Sequence, residues 1–402
     1  MTLALGQGGC KLLLAKRADS LCAILVLSLL AVGLLIEDRQ YLSAAPAPVP
    51  VTIGHFAHAA TAVDDFGRYL QRNGVAVVFK DFGTIGNANN VVTAAKALND
   101  GLVDVLWLTS ADLAYLSGHT PLTMKIGAVT DFPVVHVITD DASVRSATDA
   151  KFGQQAAEVL EGDALYADTL FSALDLTVPR CLSTAARCVV LSGGASDYAS
   201  LSTNFKNNPS SSIIGLWAVR KAGSLAFQLL RADDPGLPRL HLVNVPDTTV
   251  VKMATVNGAW ATATIPKGSY GIRDGSDVPA SNIPTAAAPI FTISTTPPEV
   301  VARVRAFIVI LNGALLDHEP RMSPQELRTS LLVASSLHAK WPDRVYLHDE
   351  FANQLRIRNL SVPGALIAPP EAPTTPSPAP VPRPEPPSHK EGPGGGGRGG
   401  RG

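Results

Sequence analysis

Three polar side chains follow an apolar run in the stretch "VDVLWLTSAD", residues 103–112. Thr109, Ser110 and Asp112 stand where a buried strand is predicted to end and a helix to begin. Hydroxyl and carboxylate groups at this position either hydrogen-bond a small polar ligand or cap the helix. Because one residue can do both, the three side chains are interpreted as candidate ligand contacts that also have the residue types of caps and turns.

Two further polar segments stand at comparable positions along the chain. His55 follows a strand signal at 51–54, and Gly86, Asn87 and Asn90 follow a second one at 75–80. Strand and helix signals alternate at this spacing, which predicts parallel pairing. Ligands of open parallel sheets bind beyond the carboxyl ends of the strands. The sequence therefore predicts one pocket formed by three polar loops.

The rest of the chain divides into a second block, two late helices and a tail. Residues 134–264 carry strand and helix signals of their own, and are predicted to form lobe 2. Residues 51–133 and 265–361 are predicted to form lobe 1, with the late helices packed on the first block. Each late helix opens with a hydroxyl residue, proline and a glutamate at the third position, which is typical of a capping box.

The N-terminal residues indicate export. Lys11, Lys16 and Arg17 precede an unbroken apolar run at 21–36, which predicts a signal anchor or a cleaved signal peptide. The positive flank places residues 1–20 in the cytoplasm, and a linker at 37–50 leads to an extracytoplasmic or periplasmic chain tethered to the inner membrane. Cys181 and Cys188 then form either a local disulfide or two free thiols.

Composition excludes some partners. The chain has 402 residues, 46% hydrophobic and 17% charged, with a formal net charge of −1. This is the balance of a globular protein without a basic field for nucleic acid. Residues 362–402 are rich in proline and glycine, which predicts a disordered tail. Arg398 and Arg401 supply too little charge to bind RNA.

No catalytic or cofactor motif is complete. The stretch "LSGGAS" lacks the spacing of a serine elbow, and "GTIGNANN" does not fit a dinucleotide-binding loop. His55 and His58 have no third metal ligand nearby in sequence. The sequence therefore predicts neither an enzyme nor a bound cofactor or metal.

The pattern over residues 51–320 resembles the TAXI-type extracytoplasmic solute receptors of tripartite ATP-independent periplasmic (TRAP) transporters. The best local match is a Gly-x-x-Asp strand followed by Ser-Asp, carried here by Gly101, Asp104, Ser110 and Asp112. Asp104 is interpreted as a structural hydrogen-bond acceptor. Other matching positions are Gly54, Gly86, Asn87, Asn90, Ile265, Pro266, Gly268 and Tyr270. Gly162 and Asp163 stand where the family has a Gly-Ser-Gly-Thr turn.

The resemblance implies an α/β fold, namely a two-lobed periplasmic-binding-protein clamshell of type II-like form, preceded by one N-terminal hydrophobic helix. It places hinges near 133–140 and 265–289. It further implies a small organic anion as ligand, such as an amino acid, keto acid or dicarboxylate, and transporter membrane subunits as partners. The predicted ligand-binding residues are His55, Gly86, Asn87, Asn90, Thr109, Ser110, Asp112, Gly162 and Asp163.

One departure from the family leaves an alternative open. Bulkier residues at 58–61 replace paired glycines of the family, which fills space close to the expected ligand. The alternative function is a membrane-anchored sensor or interaction protein that uses the same scaffold without transport.

Overall fold

The computed structural model describes residues 50–56, 60–83, 88–139, 143–149, 156–160, 169–170, 172–173, 189–191, 213–220, 241–269, 282–295, 301–362 and 364–367. Several predicted features lie outside these residues: the hydrophobic helix at 21–36, Gly86, Asn87, Gly162, Asp163, the two cysteines and the C-terminal tail. Within the described residues, no helix combines the length and apolarity needed to cross a membrane.

The elements in chain order are β1 (Val51–His55), α1 (Ala60–Arg72), β2 (Val77–Asp81), α2 (Ala88–Asn99), β3 (Val105–Thr109), α3 (Ser110–His119), β4 (Met124–Asp131), β5 (Val134–Thr139), β6 (Ala156–Leu160), β7 (Val189–Leu191), β8 (Ile213–Arg220), β9 (His241–Leu242), α4 (Asp247–Asn257), β10 (Ala261–Ile265), β11 (Ile283–Ala287), β12 (Ile290–Ser294), α5 (Val301–Gly313), α6 (Pro324–Lys340), β13 (Val345–Leu347) and α7 (Asp349–Ile357). A π-helical turn at Ala314–His318 extends α5, and a 3-10 turn covers Gly364–Leu366.

The first sheet has the order β13-β4-β12-β3-β1-β2. The pairs β1–β2, β1–β3 and β4–β13 are parallel, which agrees with the alternation of strands and helices in the sequence. β12 pairs antiparallel with both β3 and β4. It runs in the opposite direction because the chain enters it from the second sheet rather than from a helix on the first.

The second sheet has the order β10-β11-β5-β8-β6-β7, and β9 pairs with β5 beside this path. The chain passes from the first sheet to the second between Asp131 and Val134, and returns between Ala287 and Ile290. Each crossing takes two residues, and both leave the first sheet at the same edge. The described parts of the two sheets are therefore joined by two short connections.

The structure corrects the predicted start of the returning segment. Lobe 1 was expected to resume at residue 265, but β11 pairs antiparallel with β10 and with β5 of the second sheet. Residues 266–282, which are punctuated by proline, therefore connect the two strands of a hairpin, and the return crossing follows Ala287. The capping box at Ser323 and Glu326 is confirmed.

An aromatic stack fixes the strands of the first sheet against α1. The rings of Phe66 and Trp107 are stacked with their centroids 4.6 Å apart, and the Tyr69 ring lies nearly parallel to Phe66 with the centroids 6.3 Å apart. All three side chains are fully buried. Trp107 Nε1 donates a hydrogen bond of 3.0 Å to Thr130 Oγ1, which satisfies the polar group of the largest buried ring. This packing holds the ends of β3 and β4 in place relative to each other.

Candidate functional site

The carboxyl ends of four parallel strands meet at one edge of the first sheet. β1 ends at His55, β2 at Asp81, β3 at Thr109 and β4 at Asp131. The pairing His55–Asp81, together with the pairing of Ile290 to both Thr109 and Asp131, places these ends in one row. Both connections to the second sheet leave from this row. We call it the strand-end edge, and it is where open α/β sheets bind ligands.

At the centre of the strand-end edge, Thr109 and Asp112 form a complete capping box for α3. Thr109 Oγ1 accepts a hydrogen bond of 3.2 Å from the Asp112 backbone N–H, and Asp112 Oδ2 accepts one of 2.9 Å from the Thr109 N–H. Both side chains are fully buried. The sequence offered two interpretations of these residues, and the structure shows that they cap the helix. They complete backbone hydrogen bonding where the strand turns into the helix.

Ser110, the first residue of α3, is hydrogen-bonded to the return crossing and to the segment that leads into β10. Its backbone N–H donates to the Pro289 carbonyl at 2.7 Å, and its hydroxyl donates to the Ala259 carbonyl at 2.7 Å. Pro289 lies in the return crossing, and Ala259 lies just before β10. The residue therefore anchors the junction between the sheets.

His55 lies at the end of β1 and is buried, with 8% of its surface exposed. Its Nδ1 lies 3.2 Å from the Phe56 carbonyl oxygen, and its ring meets Phe79 edge-on with centroids 5.7 Å apart. The Nδ1 proton therefore orients the imidazole. His55 stays in the predicted ligand set, and the structure places it in the row of strand ends.

Asp81 and Asn90 meet at a tight turn after β2. Asp81 is exposed, and its Oδ1 accepts a hydrogen bond of 2.7 Å from the Gly83 N–H. Gly83 has a φ of +75°, and a Cβ there would lie 3.1 Å from the Asn90 amide nitrogen. Glycine both allows this backbone conformation and lets Asn90, in the first turn of α2, approach the turn. Asp81 was not among the predicted site residues, although a D-x-G turn directly after a strand is a signal that the sequence contains.

At the far end of the row, Arg321 binds two carboxylates. Its Nη2 lies 2.7 Å from Asp131 Oδ2 and 3.0 Å from Asp65 Oδ2, and its guanidinium lies over the Tyr69 ring, 5.1 Å from the centroid. Burial alone disfavours the charged guanidinium, but the two carboxylates more than offset it and raise the pKa of Arg321. This cation therefore neutralises acidic side chains of its own lobe. No motif in the sequence pointed to Arg321.

Among the predicted ligand-binding residues that the structure describes, the arrangement separates two groups. Thr109, Ser110 and Asp112 are buried and build the junction, whereas Asn90 is half-buried beside the exposed Asp81. Asp104 is confirmed as a structural acceptor, because its Oδ2 accepts the Thr52 N–H at 2.7 Å. The described residues contain no group of three or more His, Cys, Asp or Glu placed to hold a metal ion.

The sheet order and the two crossings define the class. In the first sheet the strand that returns from the second sheet, β12, lies antiparallel between β3 and β4, next to the parallel order β2-β1-β3. Two α/β units joined twice in this way have the two-lobed fold of type II periplasmic binding proteins. The predicted two-lobed α/β fold class is thereby confirmed.

Comparison with known proteins gives structural neighbours at low sequence identity. No protein-family model matches the chain, and no curated protein sequence matches it. Oxidized OxyR of Corynebacterium glutamicum is 13% identical over 76% of this chain and 74% of that chain, with a TM-score of 0.35. The CcmR regulatory domain of Synechocystis, in complex with 2-PG, is 8% identical over 67% of this chain and 98% of that chain, with a TM-score of 0.35. An ABC transporter structure from Parabacteroides distasonis is 9% identical over 75% of this chain and 98% of that chain, with a TM-score of 0.32. At these identities and scores, the class assignment rests on the sheet order and the crossings.

Proposed function

We propose that this chain is an extracytoplasmic solute-binding protein that captures a small organic anion at the strand-end edge and delivers it to a TRAP-type transporter. The observation that carries the proposal is the convergence of four strand ends at the edge from which both inter-sheet connections leave. A ligand bound there touches the residues beside the hinge. Its binding energy can then favour the closed arrangement of the lobes.

The residues available for the ligand favour an anion at the β2 side of the edge. The α3 N-terminus is occupied by its own capping box, so its dipole already faces the Asp112 carboxylate. α2 begins nearby at Ala88, and an anion at a helix N-terminus is stabilised by the backbone N–H groups. Lys80, which comes just before the last residue of β2, is exposed and supplies a cation at the same end of the sheet.

The family and the location belong to the same proposal. The TAXI resemblance over residues 51–320 supports a transporter receptor, and the apolar run at 21–36 supports export with a membrane tether. We propose no catalytic step, because the proposed contacts bind and orient a ligand without supplying a nucleophile paired with a base.

A thermal-shift screen of the full chain tests this function. The probes are amino acids, keto acids and dicarboxylates, each at high concentration. A ligand present at about 100 times its dissociation constant stabilises the protein by about 2.7 kcal/mol, which raises the melting temperature by several degrees. We expect one chemical class to stabilise the chain, and Asn90→Ala to reduce the shift.

The matched control is Asn353→Ala, which removes an exposed asparagine from α7, an element outside the strand-end edge. This variant keeps the full shift if the ligand binds as proposed. A cooperative melt with no shift from any of these anions contradicts the proposal, and directs the search to the sensor or interaction role.

A further inference from the structure

A cavity whose described lining includes none of the four strand-end residues lies between β10 and α6. It has a volume of about 680 Å³, within the range of about 300–1,000 Å³ that is typical of ligand pockets. One wall is β10 with its flanking residues, and the other is α6, which contributes Thr329, Leu332 and Ser336. We call it the β10 trench. Its two walls come from the two halves of the chain that the short connections join.

The β10 wall is an open strand edge. β10 is the last strand of its sheet and pairs only with β11 among the described residues. Open edges are usually blocked by charged residues, proline or a bulge. The strand Ala261–Ile265 has none of these residues, and its register with β11 is uninterrupted.

The register shows which backbone groups face the trench side. Thr264 pairs with Pro284, which has no N–H and whose carbonyl accepts the Val245 N–H at 3.0 Å on the side away from β10. Thr264 and Pro284 are therefore a pair that exchanges no hydrogen bonds. Because such pairs alternate with hydrogen-bonded ones, the pair of Thr262 and Ala286 also exchanges no hydrogen bonds. The N–H and C=O groups of Thr262 and Thr264 point away from β11, toward the open edge.

The shape of the trench fits one extended chain. β10 has five residues, which span about 17 Å at the usual rise of a strand. The α6 residues that line the trench extend from Gln325 to Ser336, about 16 Å along the helix. A second folded sheet would have to enter the space that α6 occupies. A groove between an edge strand and a helix is instead suited to a single added strand.

The charged groups that line the trench indicate which kind of peptide segment can bind there. Among the described residues that line the trench there is no Lys, Arg or His, and the acidic one is Glu326. Its Oε2 accepts the Ser323 N–H at 2.7 Å as part of the helix cap. No cation is present for a peptide's terminal carboxylate, so an internal segment fits better than a free peptide end. The apolar side chains of Phe132 and Val333 favour uncharged residues on that segment.

We propose that the β10 trench binds an extended, uncharged internal segment of a partner protein, which adds to the second sheet as a strand beside β10. The segment exchanges backbone hydrogen bonds with Thr262 and Thr264, and its side chains contact α6. This inference does not depend on the proposed solute or on the transporter.

The test measures, by titration calorimetry, how tightly the full chain binds a capped peptide, acetyl-Thr-Val-Thr-Val-Thr-amide. The caps remove the terminal charges, as in an internal segment. A second peptide carries N-methyl groups on alternate amides, which removes backbone donors and leaves the side chains in place. We expect the capped peptide to bind and the methylated peptide to bind at least tenfold more weakly.

Thr264→Pro and Thr264→Val form a matched pair of variants. Proline removes the N–H that faces the open edge without removing a bond to β11, and edge strands tolerate proline on that side. Valine keeps the N–H. We expect Thr264→Pro to weaken the capped peptide about tenfold and Thr264→Val to bind like the unaltered chain. If Thr264→Pro does not fold, the comparison of the two peptides decides.

Four results overturn the proposal. The capped peptide does not bind at millimolar concentration, or both peptides bind equally well. Alternatively, the chain dimerises in sedimentation measurements and Thr264→Pro abolishes the dimer, in which case a second copy occupies the edge. The proposal is also contradicted if a small neutral ligand binds in the trench while the capped peptide stays bound, because the peptide then lies elsewhere.

Discussion

The hydroxyl of Ser110 donates a hydrogen bond of 2.7 Å to the carbonyl of Ala259, and this contact joins the first residue of α3 to the segment that enters β10. The neighbouring Ala259 N–H donates to Asn257 Oδ1 at 3.1 Å, so both backbone groups of Ala259 are satisfied. Ser110 is fully buried. A residue predicted to contact ligand thus holds the two halves of the protein together beside the strand-end edge.

Removing this hydroxyl tests its structural role. Ser110→Ala leaves the Ala259 carbonyl without its donor, which costs about 1–3 kcal/mol in the free energy of unfolding. Ser335→Ala is the control, because its hydroxyl donates to the Leu331 carbonyl within the same helix, α6. We expect that control to change the free energy of unfolding by less than about 0.5 kcal/mol. Urea denaturation of the three proteins measures both values, and equal stability of Ser110→Ala and the unaltered chain refutes the role.

Gly54 in β1 tests the packing beneath the strand-end edge. A Cβ at this position would lie 2.6 Å from Leu106 Cδ2 and 2.8 Å from Phe82 Cε2. Gly54→Ala should therefore destabilise the protein by about 1–3 kcal/mol through overpacking. Gly118→Ala in α3 is the matched control, since nothing lies within 4 Å of its Cβ position and alanine favours a helix. Thermal unfolding should show a lower midpoint for the first variant and an equal or higher one for the second.

Arg321 tests the charged end of the row. Arg321→Gln leaves Asp131 and Asp65 close together without their shared cation. The Arg321 and Asp131 side chains are 16% and 15% exposed. We therefore expect the free energy of unfolding to fall by about 1–3 kcal/mol, between the losses typical of surface and of buried salt bridges. The control Arg72→Gln breaks the Arg72–Glu319 pair, whose side chains are 54% and 46% exposed. Because solvent screens this exposed pair, the control should lose less stability than Arg321→Gln in chemical denaturation. Equal losses from the two variants contradict the assignment.

His348 gives the stability a pH dependence. Burial, with a smaller contribution from Lys125, lowers the pKa of His348 from 6.5 to about 4. Its Nδ1 accepts the Glu350 N–H at the start of α7, which requires the neutral ring. The folded state takes up the proton at lower pH than the unfolded state. The contribution of neutral His348 to the free energy of unfolding is therefore complete above about pH 6.5. It is lost as the pH falls through 6.5 toward 4, by about 3 kcal/mol.

His348→Asn separates this effect from the titration of carboxylates. Asparagine keeps a side-chain acceptor at the helix start and does not titrate. The free energies of unfolding of the two proteins should therefore differ by about 3 kcal/mol more at pH 7 than at pH 4. A difference that does not change with pH rules out His348 as the titrating group.

The sequence predicted the parts of the fold that depend on local patterns. The alternation of apolar runs with helix signals up to Asp131 gave β1, β2 and β3 in parallel pairing, and the Ser323 capping box gave the start of α6. The hairpin of β10 and β11 was missed because its pairing joins residues across a long proline-punctuated passage. Pairing over such a distance is decided by tertiary contacts, which no local pattern reports.

The positions of several candidate residues along the fold could be predicted from the sequence. Placing His55 and Thr109 at strand ends, and Asn90 in the segment after a strand, required only the strand boundaries. The distinction between Thr109 as a cap and Asn90 as an accessible side chain depends on burial, which the residue types do not reveal. Arg321 could not be found, because its partners Asp131 and Asp65 are far away in sequence.

Hydrogen–deuterium exchange of the full chain, with and without the anion that gives the largest thermal shift, tests the central claim most directly. Solute capture at the strand-end edge predicts slower exchange in peptides that cover 52–56, 81–83 and 88–92, and no change in α7. Slower exchange confined to other segments, or no anion that binds at all, contradicts the claim that this edge is the solute site.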